Sequence, residues 1–116
     1  MTPIDLGSYK SLYLQTAREY VDSLLAGCNK LVSDSQDKSA INTIHISSHS
    51  LKSQSQVMGF TDIAAISANI EKISKDILDG VSQVDDKFIS FLKKAAEEIS
   101  LKLAGIEKGD AETSSA

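Results

Sequence analysis

His49 and Lys52 stand three residues apart in the stretch IHISSHSLKSQSQVMGF, with His45 one helical turn earlier and Gln56 one turn later. On a helix such spacings share a face, because residues three, four and seven apart lie one above another. If Leu51 marks the centre of a buried face, His49 falls about 160° away at about 100° per residue, and His45, Lys52 and Gln56 join it in a polar stripe. A neutral imidazole there carries a lone pair on one nitrogen and a proton on the other. A lysine one turn on is a mobile point charge with three donors, suited to hold a negatively charged group attached to the ring. A second arrangement competes. His45 and His49 are four apart, a spacing that can set two imidazoles on one metal ion, but a closed site needs about four ligands. The chain has no third histidine, and Cys28 belongs to another segment. Ligand count therefore weighs against a metal. From spacing alone, His49 and Lys52 read first as ordinary solvated residues.

The elements that must position these residues are legible as periodicity. Tyr13, Ala17, Tyr20, Leu24, Cys28 and Leu31 recur at steps of three and four, as do Ile41, Ile44, Ser48, Leu51, Ser55 and Met58. Ile63, Ile66, Ile70, Ile73 and Ile77 form a third stripe, and Phe88, Leu92, Ala95, Ile99 and Leu103 a fourth. These patterns predict amphipathic helices and no strand. The only proline is Pro3, so nothing later interrupts a helix. Gly59, Gly80 and Gly105 are spaced as helix C-termini. Gly27 falls inside a helix, where glycine costs about 1 kcal/mol relative to alanine. Thr61 is placed to cap the third helix and Asp85 the fourth, with Val84 and Ile89 as a hydrophobic staple. Short connections make neighbouring helices antiparallel, so the expected fold is all-α, an antiparallel up-down-up-down four-helix bundle over residues 1–106. Residues 107–116 read as a polar tail or linker.

A chain of 116 residues, 41% apolar and 24% charged, has ordinary globular composition for one domain. The net charge is −4 with no basic block, which argues against nucleic-acid or anionic-membrane partners. The single Cys28 excludes an intrachain disulfide and fits a reducing compartment. The start MTPIDLGSYK lacks the basic and apolar regions of a signal peptide. No apolar run approaches the ~18 residues of a membrane span. A cytoplasmic location is expected. No glycine-rich phosphate loop is present, so a nucleotide pocket of its own is not expected.

With these residues in view, His49-Ser50-Leu51-Lys52, followed by Ser55 and Gly59-Phe60, resembles the histidine phosphotransfer (HPt) motif. The chain is similar to the N-terminal phosphotransfer domain of CheA-type chemotaxis histidine kinases. Ile41 and Ile44 take the apolar positions upstream of the histidine, and AISANIEKISKDILDG resembles the family's Leu-x-x-x-x-Glu-x-x-x-x-x-Leu-x-x-Gly pattern. The likeness covers about residues 8–105. It implies that His49 is the phosphoacceptor, that Lys52 assists the phosphoryl group and that Glu71 accepts a hydrogen bond from the imidazole. It implies a turn at Gly59 and a docking face that includes Ser53, Gln56 and Gly59. Without the resemblance Glu71 reads as a surface carboxylate paired with Lys75. There are departures: Ser53 where the family usually has glycine, Ala68 where many chemotaxis kinases carry a second histidine, and Ile46 where a basic residue is common.

If Glu71 accepts from Nδ1–H, the lone pair rests on Nε2 and the tautomer is fixed. Phosphoryl transfer then needs in-line geometry and charge neutralisation. The resemblance implies that this domain binds no cofactor and is a substrate in trans. An ATP-binding kinase domain, expected in the same parent chain, supplies ATP. A response-regulator receiver domain supplies Mg²⁺ and an aspartate. The dimerisation helices of ordinary sensor kinases carry an acidic residue after the histidine and a proline soon after, whereas here Ser50 follows and no proline does, so a monomer is expected. The expected function is a phosphohistidine carrier in two-component chemotaxis signalling. A free-standing HPt protein of a multistep phosphorelay and a non-catalytic helical interaction module are the alternatives. A polar tail serving as a tether to later domains favours the kinase-domain reading over the free-standing protein.

Overall fold

The computed structural model describes residues 6–109. They form α1 (Leu6–Ser33), α2 (Lys38–Met58), α3 (Thr61–Leu78) and α4 (Asp86–Glu107). The expected all-α four-helix bundle is the observed one. Its up-and-down course follows from which ends meet. Tyr13 of early α1 donates to or accepts from Ser55 of late α2 at 2.8 Å, while Gly27 of late α1 lies against Ala40 and Ile44 of early α2. Arg18 pairs with Glu107 at 2.5 Å, and Cys28 lies 3.8 Å from the Ile89 carbonyl, so α4 runs back along α1. The four predicted stripes meet in the core, where Leu24, Ile44, Leu51, Ile63, Ile70, Leu92, Ile99 and Leu103 are fully buried. On α3 the buried line is Ile63, Ser67, Ile70 and Ser74, and Ile66, Ile73 and Ile77 are only partly covered. Buried serines at the α2–α3 seam let these two helices approach closely, and their hydroxyls are satisfied by carbonyls one turn back, as in Ser67 to Ile63 and Ser74 to Ile70 at 2.8 Å.

The ends of the helices repeat the logic of local hydrogen bonding. Asp37 and Asp85 cap α2 and α4 by accepting from the N–H of Ala40 at 3.0 Å and of Phe88 at 2.8 Å. Val84 and Ile89 both pack on the core beside that second cap, as a staple requires. α2 ends in a Schellman turn: Gly59 at φ 80° donates to Gln56 O, and Phe60 N–H donates to Ser55 O. Two expectations are corrected. Thr61 is the first residue of α3 and its cap position is Phe60, which makes no side-chain cap bond. Phe60 instead anchors the turn by its ring, 5.1 Å from that of Tyr13. Gly105 does not end α4, which runs on to Glu107 before Gly109 at φ 90° turns the chain by donating to Ile106 O. The polar stretch expected from 107 onward thus starts inside the helix; residues 110–116 lie outside the described residues. Gly27 has a packing reason, since a Cβ there would stand 2.7 Å from Ile44 Cγ1. Among the described residues no helix is long and apolar enough to cross a membrane.

Candidate functional site

α2 and α3 bring His49, Lys52 and Glu71 together across their seam. His49 Nδ1–H donates to Glu71 Oε2 at 2.5 Å, and Lys52 Nζ donates to Oε1 at 2.6 Å. One carboxylate therefore orients both donors, each on its own oxygen. The three side chains differ in exposure in a way that matters: His49 is 58% exposed, Lys52 25% and Glu71 16%. The ring stands at the surface on a carboxylate that is nearly covered. Burial acts to raise the Glu71 carboxyl; the hydrogen bonds and charges of Lys52 and then His49 outweigh it and hold the group below the usual carboxylate range. An ionised carboxylate only accepts, so Nδ1 carries the proton and a neutral ring keeps its lone pair on Nε2. Lys75, the alternative partner of Glu71, bonds Asp79 instead at 3.1 Å.

The other expected residues fall into place less uniformly. Gln56 and Gly59 are exposed, and Gly59 closes α2. A Cβ at Gly59 would meet nothing within 4 Å, so the positive φ, not space, calls for glycine. Ser53 is half-buried and lines an apolar cleft of about 350 Å³ between α1 and α2 with Tyr9, Leu12, Thr16, Val57 and Met58. His45 is corrected: it leaves the exposed stripe, is half-buried, and turns its Nδ1 to the Glu71 carbonyl oxygen at 3.3 Å. Its wheel position, about 120° from Leu51, lies on the α3 side of α2 and not opposite the core. Ala68 is half-buried and Ile46 exposed. Of the cleft residues the sequence singled out Ser53 as a docking residue and Tyr13 and Met58 as core positions, but not Tyr9, Leu12, Thr16, Gln54 or Val57. Their signal was the apolar side chains of Leu12 and Val57 away from the buried stripes, now among the exposed large hydrophobics.

A four-helix bundle with a carboxylate-oriented histidine on α2 is the class that this fold and site define. The family model of the Hpt domain matches residues 8–102, and the chain belongs to that family, the phosphotransfer domains of two-component signalling, which work with kinases and response regulators. Over 106 residues, 91% of the chain, it is 23% identical to the chemotaxis protein CheA of Bacillus subtilis (strain 168), of whose length it spans 16%. No solved structure matches at a significant level.

Proposed function

We propose that this chain is the phosphotransfer domain of a chemotaxis-type histidine kinase and that His49 is its phosphoacceptor. The observation that carries the reading is the Glu71 carboxylate on Nδ1 of a ring that is otherwise exposed. The Nε2 lone pair attacks the γ-phosphorus of ATP held by a kinase domain; an N–P bond forms, the bond to the bridging oxygen breaks, and ADP leaves. Nδ1 keeps its proton, and the positive charge gained by the ring is stabilised by Glu71. Lys52 has two donor hydrogens beyond the one given to Glu71, and its charge faces the arriving phosphoryl oxygens. A receiver aspartate then attacks the same phosphorus, the N–P bond breaks, and the electron pair returns to Nε2. ATP and Mg²⁺ belong to the partner domains. The likeness to CheA supports the chemotaxis assignment over a free-standing relay protein.

The test is to incubate the chain with its cognate kinase domain and γ-labelled ATP. The expected label is lost in acid and kept in base, as an N–P bond requires. His49→Gln is expected to abolish it while moving stability by no more than about 0.5 kcal/mol, the usual range for exposed positions. Label that persists in this variant would assign the acceptor elsewhere.

A further inference from the structure

Both histidines turn Nδ1 toward the same residue. His49 meets the carboxylate of Glu71, whereas His45 meets its main chain, with Nδ1 3.3 Å from the Glu71 carbonyl oxygen and 3.4 Å from Ser74 Oγ. A carbonyl only accepts, so the bond to the Glu71 oxygen requires the proton on Nδ1. Ser74 has nearer acceptors for its own proton in the carbonyls of Ile70 and Glu71, at 2.8 and 2.9 Å, and its oxygen is left to accept from the ring. The proton at this junction therefore belongs to His45 Nδ1, shared between two acceptors in a three-centre bond, which accounts for the long separations. Ser74 is fully buried and His45 half-buried, so the contact is shielded from water.

The surroundings give this bond a task. The seam beside it is lined by the small buried side chains of Ser48, Ser67 and Ser74, which offer few ridges to lock one helix against the other. The Glu71 carboxylate is held by His49 and Lys52, two groups that are themselves partly exposed. Among the described residues, His45 is the α2 side chain that hydrogen-bonds the Glu71 backbone. We propose that His45 is a positioning residue for the transfer site: by holding the Glu71 carbonyl it sets where the carboxylate meets His49, and so which His49 nitrogen carries the lone pair. This rests on the reading of His49 as the phosphoacceptor. Displacements of the order of 1 Å are enough to slow a reaction that depends on orientation.

Three variants test it. His45→Phe keeps the ring volume and removes the donor; His45→Asn keeps a donor close to the Nδ1 position. The first readout is the His49 tautomer, from long-range proton–nitrogen NMR correlations in mildly alkaline buffer, which needs no kinase. The second is the rate of phosphorylation by the kinase domain. Wild type and His45→Asn are expected to carry the His49 proton on Nδ1. His45→Phe is expected to mix in the Nε2–H form and to be phosphorylated about fivefold more slowly, the size of one lost hydrogen bond. If His45→Phe does not fold, His45→Gln, which moves the donor outward, takes its place with the same expectation. An unchanged tautomer and rate in the donor-free variant would overturn the proposal. So would an Asn variant as impaired as the Phe variant, since the role would then be one of shape. A wild-type chain that is never labelled at His49 would sink the functional reading, while the tautomer comparison would still decide the role of His45.

Discussion

Glu71 is the residue on which the site turns, because its carboxylate is largely covered and it serves two donors. Its carboxyl is held below its ordinary value, so the folded state binds that proton more weakly than the unfolded chain does. The stabilisation this contributes is complete above the unfolded value, about 4.3 for glutamate, and is lost as pH falls through the lower folded value. Glu71→Gln is therefore expected to melt below wild type at neutral pH, with the gap closing as the pH drops below about 4. Thermal melts of the two proteins across that range check it; a gap that stays constant would mean that the carboxylate's charge contributes nothing to folding. The same variant still offers a carbonyl oxygen to His49 Nδ1–H, but turns an amide toward Lys52. Much of this residue-scale picture was legible. His49, Lys52 and Glu71 could be picked out through the resemblance to the family motif, not from spacing alone, because a family motif preserves which helix face each residue occupies. The turn of His45 toward α3 could not. A helical wheel gives direction around one axis, and at about 120° from the buried centre a side chain is exposed or covered according to what lies beside it.

At the scale of the elements, Gly27 shows why a helix carries a residue that weakens it. Here α1 and α2 come close enough that Ile44 Cγ1 would be 2.7 Å from a Cβ and the Ala40 carbonyl 3.4 Å from it. Ile44 is fully buried and branched at Cβ, so it has little room to yield. Gly27→Ala gains about 1 kcal/mol of helix propensity. Overpacking at such a contact costs typically about 1–3 kcal/mol. A net loss of stability is expected in urea denaturation, and the substitution should become neutral or stabilising when Ile44→Ala has already cleared the space. Equal effects in both backgrounds would show that the two sites do not touch. Helix number, order and stripes were readable because burial imposes its period on each segment separately. The Asp85 cap was readable too, since its partner Phe88 N–H is three residues away. The start of α3 was not: it is fixed by the Phe60 ring against Tyr13, a contact between segments 47 residues apart in number, from 13 to 60. Likewise Gly105 continues the helix because Gly109 supplies the left-handed turn.

Taken whole, the molecule presents its proposed acceptor beside an apolar cleft, and that pairing bears on how a receiver would approach. His49 and Val57 lie eight residues apart on α2, roughly 12 Å at 1.5 Å per residue. Val57 is 86% exposed, and Tyr9 and Leu12 of α1 are more than half exposed across the cleft. Ser53 stands between, one turn from His49 and on the cleft wall. A receiver that brings its aspartate to Nε2 must cover the ground around Ser53, and its contact gains most by extending over the apolar side. Transient signalling interfaces are small, below roughly 1,200 Å², so one obstructing side chain should be felt. Ser53→Trp is expected to block transfer from phosphorylated His49 to the receiver, and Val57→Glu to slow it, while Ser53→Gly leaves it equal or faster. Phosphoramidate, a small donor that needs no docking, should still label His49 in all three. Loss of that labelling would place the defect in the site itself, and normal transfer in a folded Ser53→Trp protein would mean that the receiver comes from the α3 side.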